Sequence, residues 1–253
     1  MYLQEFDRLV KIMSRLRKEC PWDREQTPES LRQYILEEAY ETIETIDAQN
    51  WDELKKELGD LLLQIVFQVE IAKENSRFTL AEVIENISNK LVERHPHVFG
   101  DTSVKNADDV RDNWEQIKQK SENRKSILEG VPKNFSALLR AQRIQDKASQ
   151  VGFDWEDAAA VIDKVKEEIA EVQESETPEE LEMEVGDLLF SIVNFCRFRN
   201  INAEDALRKT TNKFITRFQY IEQNLAEESQ SPREASLEKM EELWEEAKSI
   251  DAR

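Results

Sequence analysis

The chain repeats itself, and that limits its fold more than any single motif does. Residues 57–67 read ELGDLLLQIVF, and residues 184–194 read EVGDLLFSIVN. Each string follows an EExxE motif, formed first by Glu37, Glu38 and Glu41 and again by Glu167, Glu168 and Glu171. The interval from EExxE to ExxD is 15 residues in the first copy and 12 in the second. Further on, Asn89-Lys90 with Arg94 matches Asn212-Lys213 with Arg217, and each half closes on Trp-Glu-x-x-Lys, Trp114 to Lys118 and Trp244 to Lys248. Five matches in one order describe a single domain written twice. Between the copies, residues 119–136 lose helical periodicity and contain Gly130 and Pro132, which marks a linker. The expected organisation is an N-terminal domain over 1–118, a linker over 119–136 and a C-terminal domain over 137–253.

Each copy reads as helical. Leu31, Ile35, Ala39, Ile43 and Ile46 recur at three- and four-residue steps, and so do Leu58, Leu61, Leu62, Ile65, Val66 and Val69, the spacing of an apolar stripe on a helix. Ile162, Val165, Ile169 and Val172 with Val185, Leu188, Leu189, Ile192, Val193 and Cys196 answer them in the second copy. Thr27-Pro28-Glu29 and Thr177-Pro178-Glu179 have the form of helix starts, with a capping hydroxyl, a proline at the first helical position and an early acid. With only 5 glycines and 6 prolines in 253 residues, the expected fold is all-α. It consists of two tandem copies of a small four-helix-type bundle, with short connections that make neighbours antiparallel.

Charge narrows the function. With 35 basic and 54 acidic residues the formal charge is -19, so most of the surface repels a phosphate polymer and no nucleic-acid partner is expected. No apolar run approaches the length of a membrane span, and no leader is apparent, so no membrane partner is expected either. Cys20 and Cys196 stand far apart, as free thiols do in a reducing cytoplasm, the expected localisation.

The acids are patterned. Glu168 and Glu171 share one helix face, Glu184 and Asp187 share a face on the next helix, and both pairs border apolar stripes. Two antiparallel helices would bring four carboxylates together at the edge of a core. Without neutralisation such an arrangement suffers like-charge repulsion and desolvation. A hard divalent cation, Mg2+ with Mn2+ as a possible substitute, relieves both through oxygen ligands. The two histidines, His95 and His97, lie outside these helices, which excludes a di-iron Glu-x-x-His pattern; a structural turn around Pro96 accounts for them. An isolated EExxE is an ordinary solvated helix face, as Glu241, Glu242 and Glu245 illustrate with no ExxD after them. The motif followed twice by ExGDLL is not, and Gly59 and Gly186 inside those helices call for a close-packing or site reason.

Together with Cys20-Pro21-Trp22-Asp23, the segment Arg94-His95-Pro96-His97-Val98-Phe99 and the string Val151-Gly152-Phe153-Asp154-Trp155, the tandem EExxE and ExxD pairs resemble the MazG family of all-α nucleoside triphosphate pyrophosphohydrolases over nearly the whole chain. The resemblance implies Mg2+-dependent hydrolysis of nucleoside triphosphates to monophosphate and pyrophosphate, in a homodimer, with a housecleaning role in the nucleotide pool. It implies that Glu168, Glu171, Glu184 and Asp187 are metal ligands. Glu167 is the leading acid of the motif and the candidate for the carboxylate that orients water, and the resemblance makes Lys213 and Arg217 a phosphate-binding pair and Trp244 a nucleotide contact. From the residues alone, surface ion pairing for Lys213 and Arg217 and core packing for Trp244 stay open. Glu38, Glu41, Glu57 and Asp60, with Lys90, Arg94 and Trp114 in matching places, form a possible second site. In tandem members the C-terminal copy is the one associated with catalysis, so 137–253 is the expected working site. Two alternatives stand beside a broad NTP/dNTP range. One is a diphosphatase selective for one nucleotide, such as dUTP, a modified-base triphosphate or an alarmone, and the other is a non-catalytic acidic helical adaptor.

Overall fold

The computed structural model describes residues 2–106, 110, 117 and 125–251. Among the described residues every regular element is a helix, and the chain divides into two compact units, Met1–Lys118 and Gln119–Arg253. Trp114 and Lys118, the expected counterparts of Trp244 and Lys248, lie outside the described residues.

In the first unit the described helices are α1 (Tyr2–Glu19), α2 (Pro21–Glu25), α3 (Arg32–Asp47), α4 (Trp51–Glu74), α5 (Leu80–Arg94) and the single turn α6 (Pro96–Phe99). Only Ala48, Gln49 and Asn50 separate α3 from α4, so the two must run antiparallel. The Asn50 side chain accepts from the Glu53 N–H at 3.2 Å and caps α4. Met13, Leu31, Val66, Phe67 and Ile71 form the core where α1 crosses the C-terminal half of α4. Beneath it the buried Arg17 guanidinium donates to Glu74, with Nη2 to Oε2 at 2.6 Å, and to the carbonyls of Asp23 and Gln26. One side chain thereby ties α1, α2 and α4 together.

The second unit holds α7 (Ala137–Ser149), α8 (Ala158–Glu174), α9 (Pro178–Phe198), α10 (Ala203–Glu227) and α11 (Leu237–Asp251). The α8–α9 pair repeats the α3–α4 hairpin, α7 packs on α9 and α10, and α11 packs on α10. Val161 and Val193 are buried within this unit, and Ile221, Leu225 and Leu243 form its larger cluster. Arg197 of α9 pairs with Asp154 and holds the Val151–Trp155 segment, in which Phe153 stays exposed.

The helix starts diverge from their matching sequences. Thr177 accepts from the Glu180 N–H, and Glu180 accepts from the Thr177 N–H, both at 3.2 Å, a reciprocal cap at the start of α9. At Thr27 the hydroxyl also accepts from Ser30 N–H at 3.2 Å, but Pro28 to Leu31 form turns and the helix begins only at Arg32. The reason lies in a carbonyl. Pro28 C=O accepts from Gln68 Nε2 at 3.3 Å, and the Arg32 N–H that would claim it in a helix goes to Glu29 O.

The apolar stripes also differ from their expected burial. Val66, Val69 and Val193 are buried, but Ile43, Ile46, Leu58, Leu62 and Ile65 are exposed in the first hairpin, and Ile162, Ile169, Val185, Leu189 and Ile192 in the second. Among the described residues, each hairpin thus leaves part of its apolar stripe exposed. The expected packing reason for the two helical glycines fails as well: a Cβ at Gly59 or Gly186 would meet no atom within 4 Å. Gly186→Ala should therefore stabilise the chain by about 0.5–1 kcal/mol through helix propensity alone, measurable as a rise in the chemical-denaturation midpoint. A fall would show that the space beside Gly186 is used.

Candidate metal and nucleotide site

The carboxylates gather where the hairpin helices pass each other. Glu168 and Glu171 stand one turn apart on α8, and Glu184 stands near the start of α9; one oxygen from each lies within 4.8 Å of the others. The first unit repeats this with Glu38 and Glu41 on α3 and Glu57 on α4. Two α-helices crossing antiparallel present i and i+3 positions of one to the early turns of the other, which is why such different intervals, 15 and 12 residues, deliver the same geometry. Asp187, one turn after Glu184 and exposed, falls outside that mutual reach. Its counterpart Asp60 lies near enough to Glu38 to be the strongest like charge acting on it.

The electrostatic cost is visible in the acids. Partial loss of water raises the Glu171 carboxyl above the ordinary carboxylate range, the charge of Glu168 adds to this, and Lys164 opposes it. Glu38 is raised by burial, then by the charges of Asp60, Glu41 and Glu57; Glu57 is raised by desolvation, then by the charges of Glu41 and Asp60. Glu168 is the buried member of the C-terminal set, 4% exposed, and its Oε2 has no hydrogen-bond partner. A buried carboxylate oxygen without a donor is costly. The set contains only oxygen donors, with no imidazole or thiol, so it fits a hard divalent cation.

Lys164 was not among the residues singled out from the sequence. Its Nζ lies 2.7 Å from Glu168 Oε1 and 2.9 Å from Glu167 Oε1, and those hydrogen bonds hold the ammonium above its ordinary range. The signal was present in its spacing, since Lys164 precedes Glu168 by four residues and so shares its helix face. Glu167, the expected water-orienting acid, is exposed and carries this ion pair.

A second group forms between α10 and α11. The Arg217 guanidinium carbon lies 5.5 Å from the centre of the Trp244 ring, and Phe214 lies 5.2 Å from the same ring. Trp244 is half-buried at the rim of the Ile221, Leu225 and Leu243 cluster, and Lys213 is exposed one turn before Arg217. The arrangement keeps both readings of Trp244, since the side chain packs against the cluster and is only partly buried. Among the described residues α8, which holds Glu167, Glu168 and Glu171, packs against α9 and no other helix. The carboxylates and the Lys213, Arg217 and Trp244 group are therefore each assembled, on different helix pairs. In the first unit Lys90 is exposed and Arg94 buried. His95 ends α5, its Nδ1 2.6 Å from Leu91 O, and its ring lies 5.6 Å from that of His97; neither belongs to a metal-ready group among the described residues.

The site and fold together define a duplicated helical protein in which each hairpin offers an oxygen-only carboxylate cluster that could hold a divalent cation. The chain belongs to the MazG family: the MazG nucleotide pyrophosphohydrolase domain matches it twice, over residues 26–99 and 156–221. It is 49% identical to the nucleoside triphosphate pyrophosphohydrolase/pyrophosphatase MazG of Thermotoga maritima, over 97% of this chain and 96% of that protein. It is 43% identical to the nucleoside triphosphate pyrophosphohydrolase of Escherichia coli, over 97% and 98% of the two chains. It is also 45% identical to the uncharacterised Bacillus subtilis protein YabN, over 98% of this chain and 53% of that longer one. Pyrophosphohydrolases of this family are generally metal-dependent.

The raised carboxyls set a pH test. Between the ordinary carboxylate value and the raised folded value, the folded chain holds more protons than the unfolded chain, so stability from these groups falls as pH rises through that window. Mg2+ should therefore raise the melting temperature more at pH 7.5 than at pH 5, where protons compete for the same oxygens. Glu171→Gln should raise the metal-free melting temperature at pH 7.5 and reduce the Mg2+ response, both readable in a thermal shift series.

Proposed function

We infer that the chain is an Mg2+-dependent nucleoside triphosphate pyrophosphohydrolase, converting a nucleoside triphosphate and water to the monophosphate and pyrophosphate. A broad NTP/dNTP range and a role in clearing the nucleotide pool follow from the same reading. The observation that carries it is the C-terminal cluster of Glu168, Glu171 and Glu184, with a buried unpartnered oxygen, in a chain whose near-full-length relatives bear that name.

Glu168, Glu171 and Glu184 would hold Mg2+, or Mn2+ in its place, with Asp187 joining through a rotamer change. Bound there, the ion would neutralise phosphate charge and polarise the α–β anhydride. Glu167, exposed beside the cluster, orients water for attack on the α-phosphorus, and the bond to the bridging oxygen breaks with pyrophosphate leaving. Lys213 and Arg217 bind the polyphosphate, the guanidinium by its two-pronged donor geometry. Trp244 contacts the base with the part of its indole that stays accessible. Glu38, Glu41, Glu57 and Asp60 form a second metal site of the same chemistry.

The chain works as a homodimer in this reading. Support comes from the exposed apolar side chains of the hairpins and from Leu207, Phe214 and Ile215 exposed along α10, a surface that a second copy could cover. The charge of -19 argues against a nucleic-acid polymer as partner. Both cysteines are free, as suits the reducing cytoplasm in which nucleotides are held; among the described residues no helix is long and apolar enough to cross a membrane.

Pyrophosphate release should be detected across a panel of ribo- and deoxynucleoside triphosphates and vanish with chelator. Glu168→Ala and Glu171→Ala should each reduce it by about 10²-fold or more; full activity in either variant would sink the assignment to this cluster. Turnover of one nucleotide alone would favour the selective diphosphatase, and no turnover with no Mg2+ effect on melting would favour the adaptor. In light scattering the chain should have twice its 29.7 kDa mass; a monomeric mass at micromolar concentration would overturn the homodimer.

A further inference from the structure

The two carboxylate clusters each bring three glutamates together, and one of their differences lies a turn before the first glutamate. Four positions before Glu168 stands Lys164, and four positions before Glu38 stands Tyr34. Tyr34 turns its ring to Trp22, centroids 6.2 Å apart, and packs against the core of the first unit. Among the described residues no ion pair reaches Glu38, Glu41 or Glu57. In the second unit the two oxygens of Glu168 have opposite fates. Oε1 accepts from Lys164 Nζ at 2.7 Å, while Oε2 is buried with no partner. The Lys164 side chain is about one-third exposed, so its ammonium reaches the cluster from the solvent side on a flexible stem.

We propose that Lys164 is a resident counter-cation of the C-terminal cluster: its ammonium neutralises Glu168 when no metal is bound and must leave that carboxylate when a divalent cation enters. The inference rests on the metal-site reading above and adds a residue to it. Its physical basis is that an ammonium and a dication competing for one nearly dehydrated carboxylate repel each other at short range, where water screens them poorly. The ion pair therefore stabilises the metal-free fold and weakens metal binding together. The N-terminal cluster, with an aromatic ring in the equivalent place, has no such competitor. Lys164 thus acts as a positioning residue on Glu168, setting how readily the C-terminal site loads and unloads its metal.

The test uses the full chain and Mn2+ alone, with free Mn2+ followed by its paramagnetic resonance signal and melting followed in parallel. Lys164→Met keeps the stem and removes the charge. It should tighten Mn2+ binding at the site lost in Glu168→Gln/Glu171→Gln by about tenfold, the scale on which neighbours of ligands tune metal affinity. It should also lower the metal-free melting temperature while leaving the Mn2+-saturated one unchanged or higher, a crossing that a merely structural lysine would not produce. Lys164→Arg, which keeps the charge, should stay close to wild type in both. Unchanged or weaker Mn2+ binding in Lys164→Met, with the Glu168- and Glu171-dependent site intact in wild type, would overturn this inference alone. If wild type bound no Mn2+ that depends on Glu168 and Glu171, the metal-site reading would fall and this inference with it.

Discussion

Like-charged carboxylates held together at a helix crossing are the constraint around which each half of this molecule is arranged. Placing three glutamates within 4.8 Å of one another raises the free energy of the metal-free chain. The two copies relieve the strain differently. In the first unit Glu38 and Glu57 hold their protons more firmly than ordinary carboxyls; in the second Lys164 bridges Glu167 and Glu168. The rest of each unit has to hold the hairpin rigid against that repulsion. In the first, Arg17 locks α1 and α2 to the far end of α4; in the second, α7 braces α9, with Gln145 Nε2 donating to the Phe190 carbonyl at 2.8 Å.

The hairpins also explain an imbalance in burial. A two-helix unit has two apolar faces, and one neighbouring helix covers only one of them. The cores therefore sit away from the clusters, at Met13 and Phe67 in the first unit and at Ile221 and Leu225 in the second. Val185, Leu189 and Ile192 stay exposed beside the site, and Gly186 leaves open space there. A carboxylate cluster on the exposed side of a hairpin is open to solvent, and apolar side chains lie exposed beside it.

How much was legible in the sequence varies by residue. The hairpins could be read because a 3.6-residue period of Leu, Ile and Val survives any tertiary context, and the duplicated EExxE and ExxD spacing places acids on the inner face of both helices. Thr177 capped its helix as its residue type and its Glu three positions on require. Thr27 did not start one, because Gln68, distant in sequence, took the Pro28 carbonyl. The four-residue spacing of Lys164 to Glu168 is legible in the sequence, but in a helix of many charges it does not by itself show which carboxylate the ammonium meets.

The sequence by itself determined the all-α duplicated architecture, the acidic faces and the kind of cation such oxygens accept, because helical periodicity and ligand chemistry are local properties. Only the tertiary structure decided that three acids converge while Asp187 stands a turn away, and that one oxygen of Glu168 is buried without a partner. It also decided that Arg217 lies over Trp244 on a different helix pair from the carboxylates. These depend on how helices cross and on which side of each is covered, and crossing geometry is set by contacts between residues far apart in the chain.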